Sequence, residues 1–259
     1  MPAQLSLTNL RLSRSGRDIL NIEEFILNPG ETLAVVGPNG AGKSSLLQVL
    51  AFLIEPDAGH ITLDGEMIGN GNRLAARRKL AIVFQEALLL DTTVEKNIEI
   101  PLRIRGVSRK EAVVRSKEWM NRLGITRLAG QGARNLSGGE AQRTSIARAL
   151  ALKPEILLMD EPFSALDYPT RKSLLVELGG ILRSSGMTAV FVTHDFSEIP
   201  YLTNQVAVLY DGRLINRGQV VDILGESAVS VKIWAPWDEE SQDVNRHMLS
   251  SQGQASSTS

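Results

Sequence analysis

The 259-residue chain contains no cysteine, which excludes a disulfide framework and thiolate chemistry and fits a reducing compartment. It has no apolar run approaching the roughly 20 residues that span a bilayer. Its first residues, Met1-Pro2-Ala3-Gln4-Leu5, lack the basic and apolar regions of a signal peptide. A cytoplasmic protein is therefore expected, peripheral if it serves a membrane. An excess of one charge is missing too: 28 Lys and Arg stand against 29 Asp and Glu, a formal net charge of −1. Nothing here resembles a nucleic-acid footprint, and no nucleic-acid partner is expected. Hydrophobic periodicity is absent from about residue 226 onward, and the end, Ser250-Ser251-Gln252-Gly253-Gln254-Ala255-Ser256-Ser257-Thr258-Ser259, has the composition of a disordered tail. Residues 227–259 are expected to hold no separate regulatory domain, with Trp234 and Trp237 as candidates to dock onto the body.

What the chain does have is Gly37-Pro38-Asn39-Gly40-Ala41-Gly42-Lys43-Ser44-Ser45, a match to G-x-x-x-x-G-K-[ST]. Thr32-Leu33-Ala34-Val35-Val36 before it reads as a buried strand, and Ser45-Leu46-Leu47-Gln48-Val49-Leu50-Ala51 after it as a helix opening. Strand, glycine turn and helix start make an anion site, because unpaired N–H groups and the helix dipole both face the turn. The glycines let the backbone curl towards phosphates without Cβ clashes. Lys43 is placed to reach the outer phosphates, and Ser44 to offer its hydroxyl to Mg²⁺. The expected ligand is a nucleoside triphosphate.

Around this loop the pattern alternates. Half-buried strands are expected at residues 4–13 and 22–27, the second ended by Asn28-Pro29-Gly30. Further strands are expected at 61–63 and 80–84, and again at 155–160 and 187–193, with a hairpin over 206–215 turning at Asp211-Gly212. Between residues 91 and 154 strand signals give way to helical spacing. Thr93 and the capping-box pattern Ser108-Arg109-Lys110-Glu111 open helices there, and Gly124 closes one. The charges Arg103, Arg105, Arg109, Lys110, Glu111, Arg115, Lys117 and Glu118 are expected on a solvated helix face. The fold class is α/β: a mostly parallel sheet with helices on both faces and an antiparallel N-terminal companion. One unit spans residues 1–226, with its core at 1–90 and 155–226 and a helical insertion at 91–154.

Ile156-Leu157-Leu158-Met159-Asp160-Glu161 brings two carboxylates to the C-terminal edge of a parallel sheet, where ligands bind in this architecture. Asp160 suits a Mg²⁺ shell, and Glu161 suits a general base acting on water. Leu136-Ser137-Gly138-Gly139-Glu140-Ala141-Gln142 reads as an N-capped helix, with Ser137 and Glu140 as a capping box over residues 141–150 and two glycines baring its N-terminus.

Taken together, residues 5–224 resemble the ATP-binding cassette (ABC) ATPase family, which has a P-loop NTPase (RecA-like) core. Six elements carry the resemblance in order: Walker A at 37–45, Gln85 of the Q-loop, the signature at 136–142, Walker B at 156–161, Ser164-Ala165-Leu166-Asp167 of the D-loop, and His194 of the switch loop. The resemblance implies ATP and Mg²⁺, and a second cassette stacked head to tail; a homodimer is expected. Ser137, Gly138, Gly139, Glu140 and Asp167 of one cassette then complete the ATP site of the other. It implies catalytic roles for Glu161, His194 and Gln85, with Ser44, Gln85 and Asp160 around the metal. One departure is that residues 10–19 contain no aromatic to stack on adenine; Arg14 or Arg17 is left for that role, and weak discrimination between ATP and GTP is expected. Another is Pro200, expected to bend the helix after His194.

In this family the leading expectation is the ATPase subunit of an importer. It serves separate membrane-spanning subunits and a separate solute-binding protein, and its sequence texture is similar to tungstate/molybdate-type oxyanion importers. The apolar segment at 86–94 is expected to border the permease dock. The alternative is a non-transport ABC ATPase acting on nucleic acid or an assembly; such proteins often carry tandem cassettes or basic extensions, which this chain lacks.

Overall fold

The computed structural model describes residues 3–225. β1 (Leu5–Arg14) and β2 (Arg17–Leu27) form an antiparallel hairpin. β2 begins five residues earlier than expected. A register shift between Leu12 and Ser13 interrupts the alternation that the expectation relied on. β3 (Thr32–Val36) leads into the glycine loop, and α1 (Lys43–Leu50) leaves it. β4 (Ala58–Leu63) and the short β5 (Glu66–Met67) complete a four-stranded antiparallel sheet in the order β2-β1-β4-β5.

α2 (Arg73–Lys79) precedes β6 (Leu80–Val83). The chain then turns helical as expected. α3 (Val94–Ile104) is capped by Thr93, which accepts from the Lys96 N–H, and α4 (Arg109–Arg122) by Ser108, which accepts from the Glu111 N–H. Two 3-10 turns follow at Thr126–Leu128 and Ala133–Asn135, and then α5 (Gly138–Ala151). α5 starts at Gly138 rather than 141, so both signature glycines lie in its first turn. Not all of the charged run is solvated. Arg105 donates to the carbonyls of Arg78 and Leu80, tying the end of α3 to the start of β6.

β7 (Ile156–Asp160), α6 (Tyr168–Ser185) and β8 (Thr188–Val192) return to the alternating pattern. A 3-10 turn at Phe196–Glu198 then leads to a single-turn helix α7 (Ile199–Leu202). Pro200 therefore sits in the first turn of a short helix and bends nothing; a proline is tolerated there because that N–H has no intrahelical partner. β9 (Gln205–Tyr210) and β10 (Arg213–Gln219) form the expected hairpin, and α8 (Val220–Leu224) follows. The expectations for residues 227–259, Trp234 and Trp237 included, lie outside the described residues.

The second sheet has the order β10-β9-β3-β8-β7-β6, parallel except for β10. Every residue of β7 and β8 is buried, as a parallel sheet covered on both faces requires. Side chains divide by parity. Ile156 and Leu158 join Leu46, Leu47 and the antiparallel sheet in one core, while Leu157 and Met159 join the helices α3 to α6 in the other. The C-terminal ends of β3, β7 and β8 thus lie side by side at one edge.

Candidate functional site

At that edge the glycine loop is held by its neighbours. A Cβ at Gly37 would lie 2.0 Å from the Leu209 carbonyl oxygen, and one at Gly42 would lie 2.8 Å from both the Ile19 oxygen and the Leu20 side chain. No larger residue fits either place. The Gly212 N–H, in the β9–β10 turn, donates to the Ala41 carbonyl at 3.1 Å, and its own carbonyl accepts from Asn21 of β2. Gly42, the N-cap of α1, has no side chain to cap the helix, so its first N–H groups face the loop. Lys43 is 6% exposed, and its ammonium donates to the Gly37 and Pro38 carbonyls at 2.8 and 3.0 Å.

Ser44 and Asp160, 116 residues apart, meet: the hydroxyl donates to the carboxylate at 3.1 Å. Burial pushes the Asp160 carboxyl above its usual range; the Ser44 hydrogen bond opposes this, and Glu161 adds to it. Hydroxyl and carboxylate oxygens are hard donors of the kind Mg²⁺ takes, one or two from protein with the rest from phosphate and water. The pair fits that ion, and among the described residues no cluster of three His, Asp or Glu competes for it.

Glu161 has φ 43°, a left-handed conformation that costs a bulky residue of order 1–3 kcal/mol. Its N–H still bonds the Val192 carbonyl, extending the β7–β8 ladder by one rung, and Ser164 closes the turn on its carbonyl. The twist aims the carboxylate at His194, whose Nδ1 lies 3.0 Å from Glu161 Oε2. The carboxylate accepts, so Nδ1 carries the proton. A carboxylate oriented by an imidazole can polarise a water.

The signature residues form a second cluster. Ser137 and Glu140 make both bonds of the capping box, and the Ser137 N–H, ahead of the hydroxyl, holds the Glu140 carboxyl below its ordinary range. A Cβ at Gly139 would sit 2.8 Å from Thr170 Cγ2, so the glycine lets the N-termini of α5 and α6 touch. Asp167 caps α6 by accepting from the Thr170 N–H, which lowers its carboxyl; sequence reasoning gave it only an intersubunit role. Gln85 is exposed at the end of β6. The backbone of its loop is anchored from α5 and α3. Gln142 donates to the Phe84 carbonyl, Arg148 donates to those of Ala87 and Leu88 at 2.9 Å each, and buried Asn97 exchanges two bonds with Leu90. Leu88 and Leu90 stay 58% and 46% exposed. Arg14 and Arg17 stand exposed at the β1–β2 turn.

Sequence reasoning missed Gln142, Arg148 and Asn97 as anchors, and also Arg171, which bonds both Asp195 and the Leu166 carbonyl. Their signal is weak, since each partner is a main-chain oxygen or a residue in a distant loop.

The sequence profile described as ABC transporter matches residues 20–164. The chain is 39% identical over 218 residues to the phosphate import ATP-binding protein PstB 2 of Natronomonas pharaonis, covering 78% of this chain and 75% of that one. It is 42% identical over 205 residues to the molybdate/tungstate import ATP-binding protein WtpC of Thermococcus kodakarensis, covering 79% of this chain but only 62%, under two thirds, of that one. Other relatives are named for sulfate/thiosulfate and for methionine import. Among solved structures, a dimeric ATP-binding cassette in a post-hydrolysis state with ADP and Pi superposes with a TM-score of 0.76 at 30% identity, over 83% of this chain and 98% of that one. With a loop, a carboxylate pair and a capped glycine helix arranged as described, the chain belongs to the ABC transporter family, as one of its ATP-binding cassette ATPases.

Proposed function

We propose that this chain is the ATP-hydrolysing subunit of an importer, working at the cytoplasmic face of a membrane on separate membrane-spanning subunits. The observation that carries this reading is the convergence of Lys43, the Ser44–Asp160 pair and the His194–Glu161 pair at the ends of three adjacent strands. In this reading the N–H groups of residues 37–45 and Lys43 bind the triphosphate. Ser44 and Asp160, with Gln85, would hold Mg²⁺, which when bound would offset the charge of the phosphates. Glu161 takes the proton from the attacking water, and His194 orients it and faces the γ-phosphate.

One cassette leaves the far side of the γ-phosphate short of donors. Ser137 and the N–H groups of Gly138 and Gly139 from a second copy supply them, with Glu140 and Asp167 beside them. Each such helix-end contact contributes only about 0.3–1 kcal/mol when exposed, so closure needs several at both sites together. Loss of the γ-phosphate then opens the pair. Residues 91–154 act as the helical subdomain, and the exposed Leu88 and Leu90 on their anchored loop form part of the permease dock. Among the described residues no helix is long and apolar enough to cross a membrane, in keeping with a spanning partner on another chain. The cargo we favour is a tetrahedral oxyanion of the molybdate/tungstate type, delivered by a solute-binding protein. Three of the four cargo classes named for the relatives above are oxyanions.

The test is tagged Glu161→Gln captured from solubilised membranes with ATP present. We expect an ATP-dependent dimer, slow hydrolysis and a co-purifying multi-span protein. Recovery with only nucleic acid or a soluble assembly would overturn the transport reading, and full activity would remove Glu161 as the base.

A further inference from the structure

Behind His194 lies a carboxyl that the proposed chemistry does not use. Glu198 closes the 3-10 turn after His194 and is 2% exposed. Its Oε2 lies 2.6 Å from the Thr193 hydroxyl. Thr193 directly precedes His194, and its main-chain N–H is bonded to Val35 of β3. The same hydroxyl accepts the Asp195 N–H at 3.0 Å and lies 3.4 Å from the Asp195 carbonyl. The peptide that follows His194 is therefore tied to the hydroxyl of the residue that precedes it, and that oxygen is tied to Glu198.

We propose that Glu198 is a positioning residue: through Thr193 it sets the orientation of the loop that presents His194 to Glu161. The proposal rests on the reading of Glu161 and His194 given above.

The hydrogen-bond arithmetic supports it. Thr193 has one proton to donate and already receives the Asp195 N–H. If Glu198 is ionised, the hydroxyl must point at Oε2. If Glu198 is protonated, its O–H can donate to Thr193, and the threonine proton is free to turn to the Asp195 carbonyl. The loop thus has two hydrogen-bond arrangements, selected by one buried proton. Burial, ahead of the opposing Thr193 bond, pushes Glu198 up to about 7. The charged groups that face it are Asp195 from its own loop, Arg171 from α6 and Glu161 from the end of β7. Asp195 is itself pinned by Arg171 at 2.9 Å and by Ser197.

The experiment compares wild type, Glu198→Gln, Thr193→Val and His194→Ala. Steady-state ATPase is followed from pH 6 to 8.5, together with the imidazole NMR resonances of the first three. Glu198→Gln keeps the size and the acceptor but removes the proton exchange. We expect its kcat to fall about tenfold, roughly one decade of rate, with KM for ATP within about twofold and a flatter pH profile near neutrality. The His194 resonances should shift while those of His60 stay in place. Thr193→Val should reproduce the kcat loss with Glu198 intact. An unchanged kcat in Glu198→Gln, a change carried by KM alone, or unmoved His194 resonances would each overturn the proposal. Wild-type activity in His194→Ala would instead remove the underlying reading of His194, and the proposal with it.

Discussion

The buried carboxyl of Glu198 also makes the stability of the fold depend on pH in a direction opposite to most acidic residues. Its carboxyl titrates at about 7 in the folded chain against an ordinary value of 4.5. Below pH 4.5 both states are protonated and the group contributes nothing. Between 4.5 and 7 the unfolded chain releases the proton while the folded chain keeps it, so folding becomes less favourable as pH rises. Above 7 the penalty is complete, and at 1.36 kcal/mol per pKa unit it amounts to about 3 kcal/mol. Glu198→Gln removes it, because a neutral amide of the same size has no proton to lose. Urea denaturation of both proteins between pH 5 and 8.5, extrapolated linearly to water, should show the variant gaining on the wild type as pH rises and levelling off above about pH 7.5. Asp195, Arg171 and Glu161 remain in both proteins, so the difference isolates one group. A stability difference that stays constant over this range would refute the reasoning, whatever its size.

Two further outcomes follow from the geometry of the site. Gly139→Ala places a methyl 2.8 Å from Thr170 Cγ2, on a stiff β-branched side chain. Overpacking of about 1–3 kcal/mol is only partly offset by the roughly 1 kcal/mol helix preference of Ala over Gly, so thermal melts should fall by no more than several degrees while ATPase activity collapses; full activity would show that the α5 N-terminus does not approach phosphate. At the β1–β2 turn, exposed Arg14 and Arg17 offer a flat guanidinium to either purine, so ATP and GTP should bind within about fivefold of each other, about 1 kcal/mol, in competition titrations, and a preference of a hundredfold or more would exclude this mode.

The parts of the site that could be read from sequence are those whose geometry is local. A strand, a glycine turn and a helix start occupy contiguous residues, and Ser137 and Glu140 make their capping box across three positions, so spacing alone specifies the contacts. The Ser44–Asp160 and His194–Glu161 contacts depend instead on β3, β8 and β7 being neighbours. That order is not written in any one segment, and family resemblance had to supply it. Glu198, Thr193 and Arg171 escaped because a buried carboxyl and a surface one have the same letter, and their partners lie on other elements. α2 was missed for a different reason: Arg73-Leu74-Ala75-Ala76-Arg77-Arg78-Lys79 buries only Ala76 and shows no apolar stripe. Arg105 was misread because its aliphatic stem lets a guanidinium in a charged run reach main-chain carbonyls. Pro200 misled because it was placed inside a helix following His194, whereas the Asp195 carboxylate takes the Ser197 N–H and starts a tight turn first.

The anchoring of the loop after β6 gives α5 a mechanical character. One unbroken helix carries the signature serine at its head, Gln142 further along and Arg148 in its last turn. The latter two grip the main chain at Phe84, Ala87 and Leu88. From Ser137 to Arg148 the axis runs about 17 Å at 1.5 Å per residue, and a helix of that length does not stretch. The exposed Leu88 is therefore fastened to a rod whose other end would touch a neighbouring cassette's nucleotide, while Leu90 is held from α3 by Asn97. Any tilt imposed at the head appears as displacement at Leu88, with the stiffness of the helix setting the gearing between them.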